Sequence, residues 1–320
     1  MLKTLISIKN NTGTRLAWTI ALLGVFVLAL AGLALWQHSM VKKTSGKPVV
    51  AATIFPLYDF ARAVGGSAID LSLLVPPGAD PHDFEPTPGD IAKIADADVF
   101  VSAGNAMDPW SKSAVAAIKN PKQIVVDASL GIDTATIAAD GKPTNSNPHV
   151  WLNLSNAQIM VGNIAAALES ADPANKSLYA HNASEYQKQL ADLDFQFKSG
   201  LANCRTKIIV EGGHDAFDFL TQRYGLTYLP SQGADPDSEP LPQRMAYLVD
   251  VIKKNGLKGV FFEEMESQKS AETLADETDA ELLPLNPGET VSGEDFSGNV
   301  TIIQIMERNL ANLRAGLQCR

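Results

Sequence analysis

Cysteine occurs only twice in the 320 residues, as Cys204 and Cys319, and never in the close Cys-x-x-Cys spacing of a zinc thiolate site. No His-Glu-x-x-His stretch occurs either, so the metalloprotease helix is missing. Basic residues are scarce in the body of the chain. Beyond residue 47 there are 20 Lys and Arg against 36 Asp and Glu, a net of −16. Phosphate binding needs clustered cations, so this body does not suit nucleic acid. Residues 1–47 have the opposite lack, with six Lys or Arg and no Asp or Glu. Histidine is also rare. There are five, and none falls between residues 105 and 148.

One long hydrophobic run is present. Leu16 to Trp36 holds 21 residues without a charge, about 31 Å as a helix at ~1.5 Å per residue, which matches one hydrocarbon thickness. Lys3, Lys9 and Arg15 precede it, which predicts that residues 1–15 stay in the cytoplasm and the body is exported. The run exceeds the apolar core of an ordinary signal peptide, and no Leu-x-x-Cys follows it. An uncleaved signal anchor over 16–36 is expected, followed by a stalk over 37–47. Cleavage after Ala29-Leu30-Ala31 is the alternative. Either way the body lies outside the cytoplasm, at the cell surface or in a periplasm. Two cysteines in an exported body suit a disulfide, here between the residue heading the strand-like Thr206–Val210 and the end of the last helix.

From Val49 onward, strand-like and helix-like segments alternate. Val49–Ile54, Ile69–Val75, Asp98–Val101 and Gln123–Val126 read as strands in the first half. Thr206–Val210, Leu226–Leu229, Gly259–Phe262 and Glu281–Leu285 repeat the pattern in the second. Thr87-Pro88-Gly89-Asp90 is a helix start, with a capping hydroxyl, proline at the first helical position and a carboxylate three residues after the cap. Residues 174–202 predict one long helix with Leu178, Tyr186, Leu190, Leu193 and Phe197 on one stripe. The fold class expected is α/β: two lobes, 48–173 and 203–320, each with a mostly parallel sheet covered by helices, and the 174–202 helix between them.

Ligands of such sheets bind beyond the carboxyl ends of strands. His82, in Pro81-His82-Asp83-Phe84-Glu85-Pro86, and His214, in Gly212-Gly213-His214-Asp215, follow predicted strands there. Glu289, in Asn286-Pro287-Gly288-Glu289, does the same, and His149 sits in the turn Asn147-Pro148-His149-Val150-Trp151-Leu152. Two come from each lobe, so one site in the cleft is expected. Imidazole is the commonest ligand for a borderline cation, and four N/O donors suit tetrahedral zinc. Asp83, Asp215 and Glu211 are candidates to orient the imidazoles, or are acids favoured at helix starts. His38 and His181 lack such a setting. A zinc hydrolase built on three histidines and an open position is a rival reading, but a glutamate used as ligand cannot also act as base.

The stretch Pro81 to Pro88, followed by Asp96-Ala97-Asp98-Val99-Phe100 and Asn105, closely resembles the metal-binding solute receptors of zinc and manganese ABC importers. Asn147 to Leu152 is similar to that family's second ligand motif, and the resemblance spans about 48–317. It implies two α/β lobes joined by one long helix, a metal site between them, no enzymatic activity, and delivery of the ion to a membrane permease by a monomer tethered through Leu16–Trp36. His214 stands where manganese receptors of this kind carry glutamate, which implies zinc, with manganese or iron as the alternative. Asn286 stands where many members have aspartate. The resemblance then implies Glu289 as fourth ligand, with three histidines plus water as the other arrangement. A surface adhesin on the same scaffold is a further reading.

Overall fold

In the computed structural model, residues 46–104, 106–134, 136–137, 143–144, 147–233 and 238–320 are described. The expected anchor over Leu16–Trp36, the residues flanking it up to 45, and Asn105 lie outside these. Among the described residues no helix is long and apolar enough to cross a membrane.

β1 (Val49–Ala52), β2 (Asp70–Leu73), β3 (Val99–Ser102) and β4 (Ile124–Asp127) form one parallel sheet in the order β2-β1-β3-β4. Around it run α1 (Phe55–Gly65), α2 (Pro88–Asp96) and α3 (Ser111–Ile118). After a short hairpin of β5 (Thr136–Ile137) and β6 (Pro143–Thr144) come α4 (Leu154–Ala171) and α5 (Lys176–Gly200). β7 (Ile208–Glu211), β8 (Thr227–Pro230), β9 (Gly259–Glu263) and β10 (Glu281–Leu285) form the second parallel sheet, ordered β8-β7-β9-β10. The two lobes thus share one strand order, with the first strand of each in the same inner place. α6 (Asp218–Tyr224), α7 (Pro242–Asn255), α8 (Lys269–Asp276), α9 (Gly293–Ser297) and α10 (Ile302–Gly316) complete the chain. Pro48–Arg320 is one compact unit.

Alternation along the strands explains why both sheets are covered on both faces. Val50, Ala52, Val99 and Val101 join one cluster, while Ala51 and Phe100 join another with Ile94 and Ala114. In the second lobe Ile209 and Phe261 face the first cluster, and Val210 and Val260 face a third with Leu248 and Leu274. The first cluster is shared. It continues from Val50 and Phe60 through Leu190 and Phe197 of α5 to Ile305 and Leu313 of α10.

The long helix lies where expected, but its buried stripe differs by one position. Leu178 is 41% exposed, while Tyr179, Ala183, Tyr186, Leu190, Leu193 and Phe197 are buried. The interval of three to four residues between them is the helix period, and it picks Tyr179, not Leu178. Thr87 caps α2 as predicted, accepting from Asp90 N while the Asp90 carboxylate accepts from Thr87 N. Asp59 of α1 is buried. It accepts the Tyr186 hydroxyl at 2.6 Å and the Ile302 N–H at 2.9 Å, so it satisfies an orphan donor at the start of α10 and ties α1, α5 and α10 together. The Cys204–Cys319 disulfide is formed, joining the end of α10 to the approach to β7.

Candidate metal centre

The loop after β2 carries His82, the turn before α4 carries His149, the turn after β7 carries His214, and the turn after β10 carries Glu289. One donor atom from each lies within 4.8 Å of the others. His82 Nε2 is 3.3 Å from Glu289 Oε2, and His149 Nε2 is 3.3 Å from His214 Nε2. A tetrahedral ion with arms of about 2.0–2.1 Å has donor-to-donor edges of about 3.3–3.4 Å, and these two pairs are opposite edges of such a figure. The His149 Nε2 to Glu289 Oε2 edge is shorter, at 2.7 Å.

Two of the imidazoles have fixed tautomers. Asn147 Nδ2 donates to the Asp215 carbonyl at 2.8 Å, which turns its Oδ1 towards His149. That oxygen accepts from His149 Nδ1 at 2.9 Å and from the His149 backbone N–H at 3.0 Å. The Nδ1 of His149 therefore carries the hydrogen and its Nε2 offers a lone pair. Glu263, the last residue of β9, treats His214 likewise, accepting from Nδ1 at 2.8 Å and from the backbone N–H at 3.2 Å. Lone pairs of buried nitrogens thus face a buried carboxylate, an arrangement that needs a proton or a cation among them.

The protonation energetics agree. Burial brings His149 down to about 4, with Glu289 acting against it. Burial also opposes charge on His214, but Glu263, with Glu289 and Glu211 behind it, pushes it up to about 10. His82 is raised: burial lowers it, and the hydrogen bond and charge of Glu289 outweigh that. Burial disfavours the Glu289 anion, yet its close contacts with His149 and His82 hold its carboxyl well below the usual range.

Exposure separates the four. The side chains of His149 and His214 are 0% exposed and that of Glu289 is 5%, whereas His82 is 15% exposed. His82 marks the mouth. The turn bearing Glu289 also bonds to the loops of His82 and His149 and to the residue after Glu263. Thr290 Oγ1 accepts the Gly78 N–H at 3.1 Å, on the His82 loop, and the Pro287 carbonyl accepts the Trp151 indole N–H at 2.8 Å, beside His149. Asn286 reaches Glu264, next to Glu263, at 3.1 Å. Gly213 lets the His214 turn come this close to β9, because a Cβ there would lie 2.5 Å from Glu263 Oε1.

Residues 50–316 match the family model for ZnuA, the periplasmic component A of the zinc-uptake complex. The chain belongs to the ZnuA family. It is 36% identical over 278 residues to the high-affinity zinc uptake system protein ZnuA of Bacillus subtilis, covering 84% of this chain and 87% of that one. It is 32% identical over 300 residues to the zinc-binding protein AdcA of Streptococcus pyogenes serotype M3, covering 87% of this chain and 58% of AdcA, so it spans little more than half of that protein. Among solved structures it is similar to the Zn(II)-bound ZnuA-like domain of Streptococcus pneumoniae AdcA, with a TM-score of 0.74, 32% identity and coverage of 85% of this chain and 99% of that one.

In this ZnuA-family chain all four residues singled out from the sequence come together, and the exposed His181 stays apart on α5. The residues expected to orient the rings do not. Asp83 is exposed, Glu211 accepts the Tyr228 hydroxyl, and Asp215 is hydrogen-bonded to Asp218 and pushed up to about 7, by burial first and Asp218 second. Asn147 and Glu263 orient them instead. Glu263 ends a strand at the ligand-binding edge of the sheet, so the strand-end rule that picks His214 and Glu289 also points to it. Asn286 turns its amide to Gly288 and Glu264.

Proposed function

We propose that this chain is the extracytoplasmic zinc receptor of an ABC importer, holding the ion on His82, His149, His214 and Glu289 and passing it to a membrane permease. One observation carries the reading: three imidazoles and a carboxylate converge within 4.8 Å in a buried setting. Two of the rings are turned inwards by Asn147 and Glu263. Three nitrogen donors favour zinc over manganese, which prefers carboxylate oxygen. With neutral imidazoles and ionised Glu289, the loaded site has a formal charge of +1. Zinc uptake must expel the protons the histidines carry, so affinity falls as pH falls. The names of the relatives support zinc as cargo.

The chain belongs to a receptor family, and the donor set argues against hydrolysis, since Glu289 is spent as a ligand. We read the lobes as 48–173 and 203–320 with 174–202 between them, and Leu16–Trp36 as the tether that keeps the monomeric receptor beside its permease. The shared apolar cluster beneath the site argues against release by wide separation of the lobes. Passage past His82, the most exposed donor, fits better.

Metal analysis of purified Pro48–Arg320 tests the reading. One tightly held zinc per chain, lost in His82→Ala and in His214→Ala, is expected, and retention in both variants would sink the site. Glu289→Gln should bind zinc far more weakly. An affinity equal to wild type would assign the fourth position to water.

A further inference from the structure

The structure assigns Asn286 a role of its own: its neutral amide positions Glu289 and links that donor to the strand end that orients His214. The backbone of Asn286 is clamped first. Its N–H donates to Asn309 Oδ1 at 2.9 Å, and its carbonyl accepts Asn309 Nδ2 at 2.7 Å, from a side chain buried in α10. From that fixed point, Asn286 Oδ1 accepts the Gly288 N–H at 2.7 Å and closes the turn. Gly288 has φ +69° there, which suits glycine, and Glu289 follows directly. The other end of the amide, Nδ2, donates to Glu264 Oε2 at 3.1 Å. Glu264 adjoins Glu263, the partner of His214.

Only an amide serves both ends. Aspartate would keep the acceptor for Gly288 but lose the donor, and its charge would face Glu264. Asn286 also lines a cavity of about 10 Å³ whose walls include Glu263, Glu264, Glu266 and Glu289. A fifth carboxylate there would repel the other four and draw Glu289 out of place. The Glu264 contact is exposed and weak by itself. The buried turn and the crowding of acids carry most of the argument. Asn286 is therefore a positioning residue for Glu289.

This inference rests on the zinc reading above. The test uses the full chain and its Asn286→Asp variant, with zinc affinity measured by chelator competition and the visible spectrum of the cobalt-loaded form read alongside. Asn286→Asp should bind zinc ~10–100-fold more weakly, the usual cost of losing a group that orients a ligand. Its cobalt bands should shift or lose intensity, while thermal unfolding of the metal-free protein stays near wild type. Adding Glu264→Gln should restore most of the affinity, because the introduced amide supplies the missing donor and removes one charge. Wild-type affinity in Asn286→Asp would overturn the role, and so would a loss that the second substitution leaves unrepaired. A wild-type chain that binds no zinc would instead overturn the zinc reading itself.

Discussion

The indole N–H of Trp151 meets the carbonyl of Pro287 at 2.8 Å, joining the turn that carries His149 to the turn that carries Glu289. Trp151 is fully buried, so no water replaces it when it is removed. Trp151→Phe should leave the Pro287 carbonyl unsatisfied and lower stability by about 1–3 kcal/mol in urea denaturation. Zinc affinity should fall with it, by about tenfold. Stability that drops while affinity stays at the wild-type value would mean that this contact supports the core alone.

Glu263→Gln tests the control of His214. The amide oxygen of the variant side chain still accepts from Nδ1 but carries no charge, so the imidazole loses the partner that raises it to about 10. On the proposed zinc reading, zinc entering at pH 8 should displace a proton from His214 in wild type. Titration calorimetry in buffers of different ionisation enthalpy should detect that release, and Glu263→Gln should release less. Zinc affinity of the variant should also fall, by about 10–100-fold.

The same pair sets a pH-dependent stability in the metal-free protein. The folded-state value of His214 is raised above its ordinary 6.5, so the contribution is fully present below about 6.5 and is lost as pH rises through about 10. Metal-free wild type should therefore exceed His214→Gln in urea midpoint at pH 6, with the gap closing by pH 10. A gap that widens with pH would contradict the Glu263–His214 ion pair.

Replacing both Cys204 and Cys319 by serine opens a link across 115 residues. The expected loss is about 3–5 kcal/mol, read as a lower melting temperature under oxidising conditions. Zinc affinity should change little, because Cys204 lies before β7 and His214 after it.

Much of the architecture is readable in the sequence because both sheets are parallel and buried on both faces, so each strand is a short apolar run bounded by turns. Three of the four candidate donors are readable for a related reason: the carboxyl ends of β2, β7 and β10 are where such sheets place ligands, whereas His149 is marked only by its proline-bearing turn. The partners of the rings are harder to find. Asn147 is two residues from His149, but Glu263 is 49 residues from His214, and only the β7–β9 pairing brings them together. On the long helix, the apolar side chain of Leu178 mimics a core position that belongs to Tyr179, one residue on. The five-residue α9, capped by Ser292, reads as loop because its sequence has no apolar repeat.

The apolar cluster that passes from Val50 to Leu313 without a break has a kinetic consequence. Prising the lobes apart would expose it to water, a step as slow as partial unfolding. A lifetime for the bound ion shorter than that must be set elsewhere, by how often the segment around His82 leaves the other three donors. Dissociation should then respond to substitutions in residues 76–86 and hardly at all to denaturant well below the unfolding midpoint.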